Sequence, residues 1–190
     1  MPRPPRDIAA RRFHHIFNRG NRRQVIFHKP GDYKAFIRIL VEAVKRFEQK
    51  LIAFCVMNNH FHIVLRTDEK VSISTYMHWV TSTHVRRYQR HYDIVGSGHI
   101  YQRRFANKVC RSERSLLSLI RYVEANPLKA GLVKRAEDWR WSSLWLRLHG
   151  DPDGLLEQCP IELPPNWADY INKTTPQKDK PPGRKKPPSA

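Results

Sequence analysis

An α+β fold is predicted by three observations on this 190-residue chain. Apolar residues recur with helical spacing from Tyr33 to Phe47, two short apolar runs flank an Asn-Asn pair at 58–59, and the stretches follow one another as β, α, β, β, α, β, α. That order is the split βαβ pattern of ferredoxin-like domains, an antiparallel sheet with helices on one face. The other face is then expected to be open to a ligand. With 40% hydrophobic and 11% aromatic residues the chain can fill a core, which excludes a wholly disordered basic protein.

The elements follow in order. Residues 12–19 are rich in aromatic and apolar side chains and end at the turn signal Gly20-Asn21, which predicts a first strand. From Asp32, the residues Tyr33, Phe36, Ile37, Leu40, Val41, Val44 and Phe47 recur at i, i+3, i+4, i+7, i+8, i+11 and i+14, one buried helical face. Leu51–Met57 is a continuous apolar run suited to a central strand. Asparagine tolerates positive φ, so Asn58-Asn59 is expected to turn tightly into an antiparallel partner over 60–67. A second helix is expected over 72–92, with Ile73, Tyr76, Met77, Val80, His84 and Tyr88 near one face, broken by Gly96-Ser97-Gly98. A strand over 104–109 precedes Ser112, a candidate N-cap for a third helix that ends before Pro127. The WRWSSL motif and the proline-rich stretch beyond it predict a packing extension with no core of its own. The expected organisation is a basic Pro-rich leader over 1–11, one domain over 12–148, an extension over 149–172 and a disordered basic tail over 173–190.

The formal charge is +18. The segment 173–190 supplies +5 of it, so +13 remains on residues 1–172 and the folded part is itself strongly basic. A polyanion is the expected partner. The charge is grouped as Arg19, Arg22 and Arg23, then Arg86, Arg87 and Arg90, then Arg103 and Arg104, each near aromatics such as Phe17, Tyr88, Tyr101 and Phe105. Such interleaving suits phosphates and stacked bases. No run approaches the ~18 apolar residues of a membrane span, and the opening residues lack the apolar core of a signal peptide. Cys55, Cys110 and Cys159 are widely spaced and fit neither a disulfide framework nor a CxxC zinc site. A cytoplasmic protein is expected.

Strand alternation puts His60, His62 and Val64 on one face and Phe61, Ile63 and Leu65 on the other. Two imidazoles about 7 Å apart along one strand can converge on one metal ion. On the third helix Tyr122 and Asn126 lie one turn apart on a flank with Ser115 and Ser118, so Asn126 can offer an amide oxygen and Tyr122 a phenol. The same residues also suit plainer roles: polar side chains on a half-exposed strand face, and an asparagine capping a helix end.

The series MNNHFHIVL with His60-Phe61-His62, GHIYQRRF over 98–105, Tyr122 four residues before Asn126, NPLKAGLV over 126–133 and EDWRWSSL over 137–144 resembles the one-tyrosine transposases of the His-hydrophobe-His superfamily, in particular the REP-associated group. The resemblance covers roughly residues 10–147, with Asn58 where the related pattern usually has proline. It implies a ferredoxin-like domain, Mg²⁺ or Mn²⁺ held by His60, His62 and Asn126, and Tyr122 as nucleophile on single-stranded DNA beside a hairpin, with a 5′-phosphotyrosine link and a free 3′-OH. The expected DNA contacts are the eight arginines above together with Lys129. Two other readings stand beside it: a non-catalytic binder of hairpin DNA or RNA, and a zinc hydrolase using His60, His62 and Cys55 or Cys110. The open face would carry the two histidines where RNA-binding sheets carry stacking aromatics, and HExxH spacing is lacking. Monomer and homodimer remain equally open from the sequence.

Overall fold

Two apolar runs of matching alternation become neighbours. β2 (Lys50–Val56) and β3 (His60–Arg66) form a hairpin, β1 (Phe13–Arg19) pairs antiparallel with β3, and β4 (Ala106–Cys110) pairs with β1. The sheet order is β2-β3-β1-β4, so the α+β, ferredoxin-like expectation holds. This computed structural model describes residues 12–67, 71–110 and 112–173. The leader over 1–11 and the expected tail beyond Lys173 lie outside the described residues. Lys173 itself is the C-cap of the last helix and not tail.

One face of the sheet packs as expected. Ile16, Phe54, Val56, Phe61, Ile63 and Leu65 meet α1 (Pro30–Phe47) and α2 (Ile73–His91) in a single core. Within α1 the buried stripe is Tyr33, Phe36, Ile39, Leu40 and Ala43, rotated from the expected one, and Ile37, Val41, Val44 and Phe47 are only partly buried. The helix sits between the sheet and α2, so its buried arc is set by two neighbours and periodicity alone does not fix its centre. In α2 the expected face is buried, with Thr83 added and Tyr88 at its margin. Ser72 caps it, accepting from the Thr75 N–H at 3.1 Å.

The second face differs from the expectation of an open surface. α3 (Glu113–Glu124), α5 (Ser143–His149) and α6 (Trp167–Asn172) lay Leu116, Ile120, Val123, Leu144, Trp167 and Ile171 over Ile52, Ala53, Cys55 and Val64. Helices on one face therefore describes α1 and α2 only. What stays open on the other face is the end of the sheet carrying His60 and His62. Edge strand β2 is closed off too: the Val56 N–H donates to the Trp141 carbonyl at 2.9 Å, the Trp139 indole N–H to the Val56 carbonyl at 2.9 Å, and the Glu157 N–H to the Leu51 carbonyl at 2.8 Å.

The hairpin turn is present at Asn58-Asn59, but neither asparagine has positive φ. Outside contacts hold it instead. The Ile26 and Phe27 N–H groups donate to the Asn58 carbonyl at 2.9 and 3.0 Å, and the Gly20 N–H to the Asn59 carbonyl at 2.8 Å. A side chain at Gly20 would put its Cβ 2.4 Å from the Gln24 carbonyl oxygen, so this close approach requires glycine.

His84 of α2 is buried against Phe27 and Phe36, with Nδ1 2.7 Å from the Tyr101 hydroxyl, and burial lowers its pKa from 6.5 to about 4. Below pH 6.5 the unfolded chain takes up a proton that the folded chain refuses until about pH 4. Stability is therefore expected to fall as pH falls through that window, by about 3 kcal/mol from this group at the acid end. Urea titrations of the wild type and His84→Gln between pH 7 and pH 4 check it; the variant should show the shallower loss.

Candidate active site

The register of the two central strands builds the site. Arg19 pairs with His60, Phe17 with His62 and His15 with Val64, and residues directly opposite in an antiparallel pair share a face. His15, Phe17 and Arg19 therefore join His60 and His62 on the uncovered end of the sheet. From β4, Lys108 opposite His15 reaches the same face. α3 crosses above and brings Tyr122 over the imidazoles, its ring centroid 5.7 Å from those of both His15 and His62, edge-on to each. Asn126 opens the short helix α4 (Asn126–Lys129), directly after α3.

Together these residues line a cleft of about 540 Å³, whose walls also include Arg19, Gln102, Arg103, Lys108 and Lys129. Tyr122 is 40% exposed, so its phenol is reachable from solvent. The Lys129 ammonium lies 4.9 Å from the centroid of the Tyr122 ring, a cation–π contact that steadies the ring and adds positive charge at the mouth. Among the described residues, none that lines the cleft is acidic.

The histidines are oriented by their neighbours. His60 Nδ1 lies 2.7 Å from Asn59 Oδ1, an acceptor, so Nδ1 carries the proton and Nε2 keeps its lone pair. His62 Nδ1 lies 2.9 Å from His15 Nε2, which leaves His62 Nε2 as the nitrogen without that partner. Burial holds His60 and His15 near pKa 4 and His62 well below its ordinary value, with nearby Arg19 adding to the effect on His60 and His62. All three are neutral at pH 7. Asn126 donates through Nδ2 to the Tyr122 carbonyl at 2.7 Å, which ties the amide to the end of α3 and leaves Oδ1 as its free acceptor.

Two neutral imidazoles and an amide oxygen form a donor set that suits a divalent cation. Among the described residues no group of three or more His, Cys, Asp or Glu is arranged to hold a metal ion. The zinc hydrolase reading finds no support in the cysteines. Neither Cys55 nor Cys110 lines the cleft; burial and neighbouring Glu124 push the Cys55 thiol well above its ordinary value, and Cys110 donates to the Ser112 carbonyl at 3.4 Å.

The remaining expected contacts are spread out. Arg19, Arg103 and Lys129 line the cleft, whereas Arg86, Arg103 and Arg104 line an adjoining groove. Arg22 and Arg23 sit exposed on a 3₁₀ turn over 21–23, both with φ in the left-handed region, where the Arg23 carbonyl accepts from Asn59 Nδ2 at 3.0 Å. Arg87 is paired with Glu42 at 2.9 and 2.8 Å and borders a patch with Arg90, away from the cleft. The other candidate tyrosines are engaged elsewhere: Tyr92 donates to Asp32 at 2.7 Å, and Tyr88 and Tyr101 meet His28 and His84. His15 was not among the residues expected. Its signal was the alternation of His15, Phe17 and Arg19, which needs the β1–β3 register before it points to the site.

Glu124, two residues beyond Tyr122, is fully buried and gathers donors from three directions. Trp167 Nε1 donates at 2.6 Å, Arg147 Nε at 3.1 Å, and the Ser143 hydroxyl completes the set. Arg147 also donates to the Ile52 carbonyl. One carboxylate thereby ties the C-terminal end of α3 to α5, α6 and the sheet.

Comparison with known proteins adds family context. The family model described as "Transposase IS200 like" matches residues 9–126, well over half of the chain. A protein of Haemophilus influenzae named as a REP-associated tyrosine transposase is 22% identical over 110 residues, which cover 54% of this chain and 62% of that relative's length. A solved structure of a REP-associated tyrosine transposase bound to a REP hairpin superposes with a TM-score of 0.64 at 16% identity, over 85% of this chain and 95% of that one. The structural likeness is one of fold.

Proposed function

We propose that this chain, which belongs to the IS200-like transposase family, cleaves and rejoins single-stranded DNA beside hairpin elements through a covalent link to Tyr122. The observation that carries this reading is an exposed phenol standing edge-on over two neutral, oriented histidines, His15 and His62, in a cleft lined by Arg19, Arg103, Lys108 and Lys129 and, among the described residues, by no acidic side chain. A phosphodiester entering this cleft meets positive charge on several sides. The partner named for the superposed structure, a REP hairpin, supports hairpin DNA as the substrate class here.

His60, His62 and Asn126 would hold the divalent cation, Mg²⁺ or Mn²⁺, and when bound it would supply charge neutralisation at the phosphate. Lys129 and Arg19 bind the non-bridging oxygens and hold the strand. Tyr122 Oη attacks phosphorus in line, loses its proton to solvent, and forms an Oη–P bond while the P–O3′ bond breaks. The leaving oxygen takes a proton and becomes a 3′-OH. The new phosphotyrosine is itself a phosphodiester, so the bond count is unchanged and a second strand's 3′-OH can attack it and regenerate Tyr122. Rejoining needs no nucleotide cofactor.

His15 is a positioning residue in this scheme, since it fixes the ring of His62. His15→Ala is expected to weaken Mn²⁺ affinity about 10- to 100-fold, read by the free Mn²⁺ EPR signal. An unchanged affinity would mean that His15 does not position His62 for the metal. The reading as a whole is tested by incubating the protein with labelled single-stranded hairpin DNA and Mn²⁺ and running a denaturing gel. A shifted protein–DNA band that chelator abolishes is expected; salt-sensitive binding with no such band would favour the non-catalytic binder.

A further inference from the structure

A groove of about 710 Å³ opens beside the catalytic cleft, between α2 and the segment 98–105. Its helical wall is one stripe, Ser74, His78, Thr81, Ser82, Val85 and Arg86, at i, i+4, i+7, i+8, i+11 and i+12. This stripe lies off the buried face of α2 and carries three hydroxyls, one imidazole, one guanidinium and the apolar Val85. Arg103 and Arg104 supply charge from the facing segment. Among the described residues no Asp or Glu lines the groove.

The facing wall is held in place. The Asn21 N–H donates to the Ile100 carbonyl at 2.8 Å, the Gln102 N–H to the Arg19 carbonyl at 2.9 Å, and Gln89 Nε2 to the Gly98 carbonyl at 3.2 Å. Groove and cleft share Asn18, Gln102 and Arg103, so one strand can pass through both. Tyr101 and Phe105 in the lining are only 8% and 7% exposed and belong to the core, so the exposed rings of the groove are the imidazoles of His78 and His99 alone.

We propose that this groove is a second subsite, which grips the sugar-phosphate backbone of the strand leaving the cleft without regard to its sequence. It rests on the reading of the cleft as a DNA-cleaving site. Guanidiniums of Arg86 and Arg104 fork onto phosphate oxygens, and the Ser74 and Ser82 hydroxyls donate to others, the Thr81 hydroxyl being taken by the Met77 carbonyl at 2.7 Å. Arg87, one residue from Arg86, does not line the groove and is paired with Glu42, although both arginines border the patch with Arg90.

The test uses the full chain carrying Tyr122→Phe, so that binding is read without cleavage, and fluorescence anisotropy with two oligonucleotides. One spans the cleft; the other is extended by about six nucleotides at each end. Adding Arg86→Ala with Arg104→Ala is expected to weaken the extended strand about tenfold and to make its log K against log[salt] slope shallower by about 1.4, while the short strand binds as before. Abasic sites in the extension should leave affinity intact, and uncharged methylphosphonate linkages there should reproduce the tenfold loss. Equal losses on both lengths, no loss on the extended strand, or weaker binding of the abasic extension would overturn the proposal. A wild-type chain that forms the covalent band, with a double variant that binds the extended strand unchanged, would refute the groove and keep the nuclease. The expected length-selective loss on a protein that forms no covalent band would keep the groove and refute the nuclease.

Discussion

Tyr122→Phe is expected to lower covalent adduct formation by at least about 10⁴-fold while changing DNA affinity by less than about twofold. The substitution removes only the phenolic oxygen. Its ring would keep the edge contacts with His15 and His62 and the cation–π contact with Lys129, so the cleft retains its shape and charge. No other tyrosine is poised to take over, since Tyr92 is hydrogen-bonded to Asp32 and Tyr101 is buried against His84. A quenched time course on labelled hairpin DNA, paired with anisotropy on the same oligonucleotide, separates the two effects. A rate loss matched by an equal affinity loss would mean that Tyr122 serves binding and not chemistry.

Glu124→Ala is expected to cost about 3–5 kcal/mol of stability and to lower the melting temperature by about 10 °C. The carboxylate has no exposure to water, and its loss leaves Arg147, the Trp167 indole and Ser143 without their shared acceptor. Glu124→Gln keeps one acceptor oxygen and the volume, so it should lose roughly half as much. Arg147→Met alone should be costly for the same reason, yet combined with Glu124→Ala it should cost less than the sum, because the second change removes a charge already stranded by the first. Urea unfolding of the four proteins measures that coupling; additivity would mean the pair is not linked. Because Glu124 lies two residues past Tyr122, the variant should also form adduct more slowly at temperatures where it is still folded.

Much of this architecture was legible from local pattern. Period-3.6 spacing located α1 and α2, a continuous apolar run β2 and period-2 spacing β3, each within a residue or two, and Ser112 caps the helix it was expected to cap. Alternation along β3 put His60 and His62 on one face, and helical spacing put Tyr122 beside Asn126. What was not legible depends on contacts between distant segments. The β1–β3 register that brings His15 to His62 spans 47 residues and has no local signal. Covering of the second face required α5 and α6 to fold back, and their apolar residues are too few in each short helix to announce a face. Glu124 reads locally as an exposed helix residue, and only Arg147 and Trp167, far along the chain, account for its burial. Charge grouping did not show how the arginines divide: Arg86 and Arg87 are adjacent in sequence and border one patch, yet only Arg86 also lines the groove while Arg87 pairs with Glu42.

The most direct measurement is to form the adduct with Mn²⁺, digest the protein and the DNA, and locate the remaining nucleotide by tandem mass spectrometry. The account predicts a single modified peptide containing Tyr122, with the phosphate esterified to the phenol and the 5′ carbon of the nucleotide, and a matching DNA fragment ending in a free 3′-OH. A nucleotide on any other residue, or cleaved DNA with no modified peptide, would contradict it.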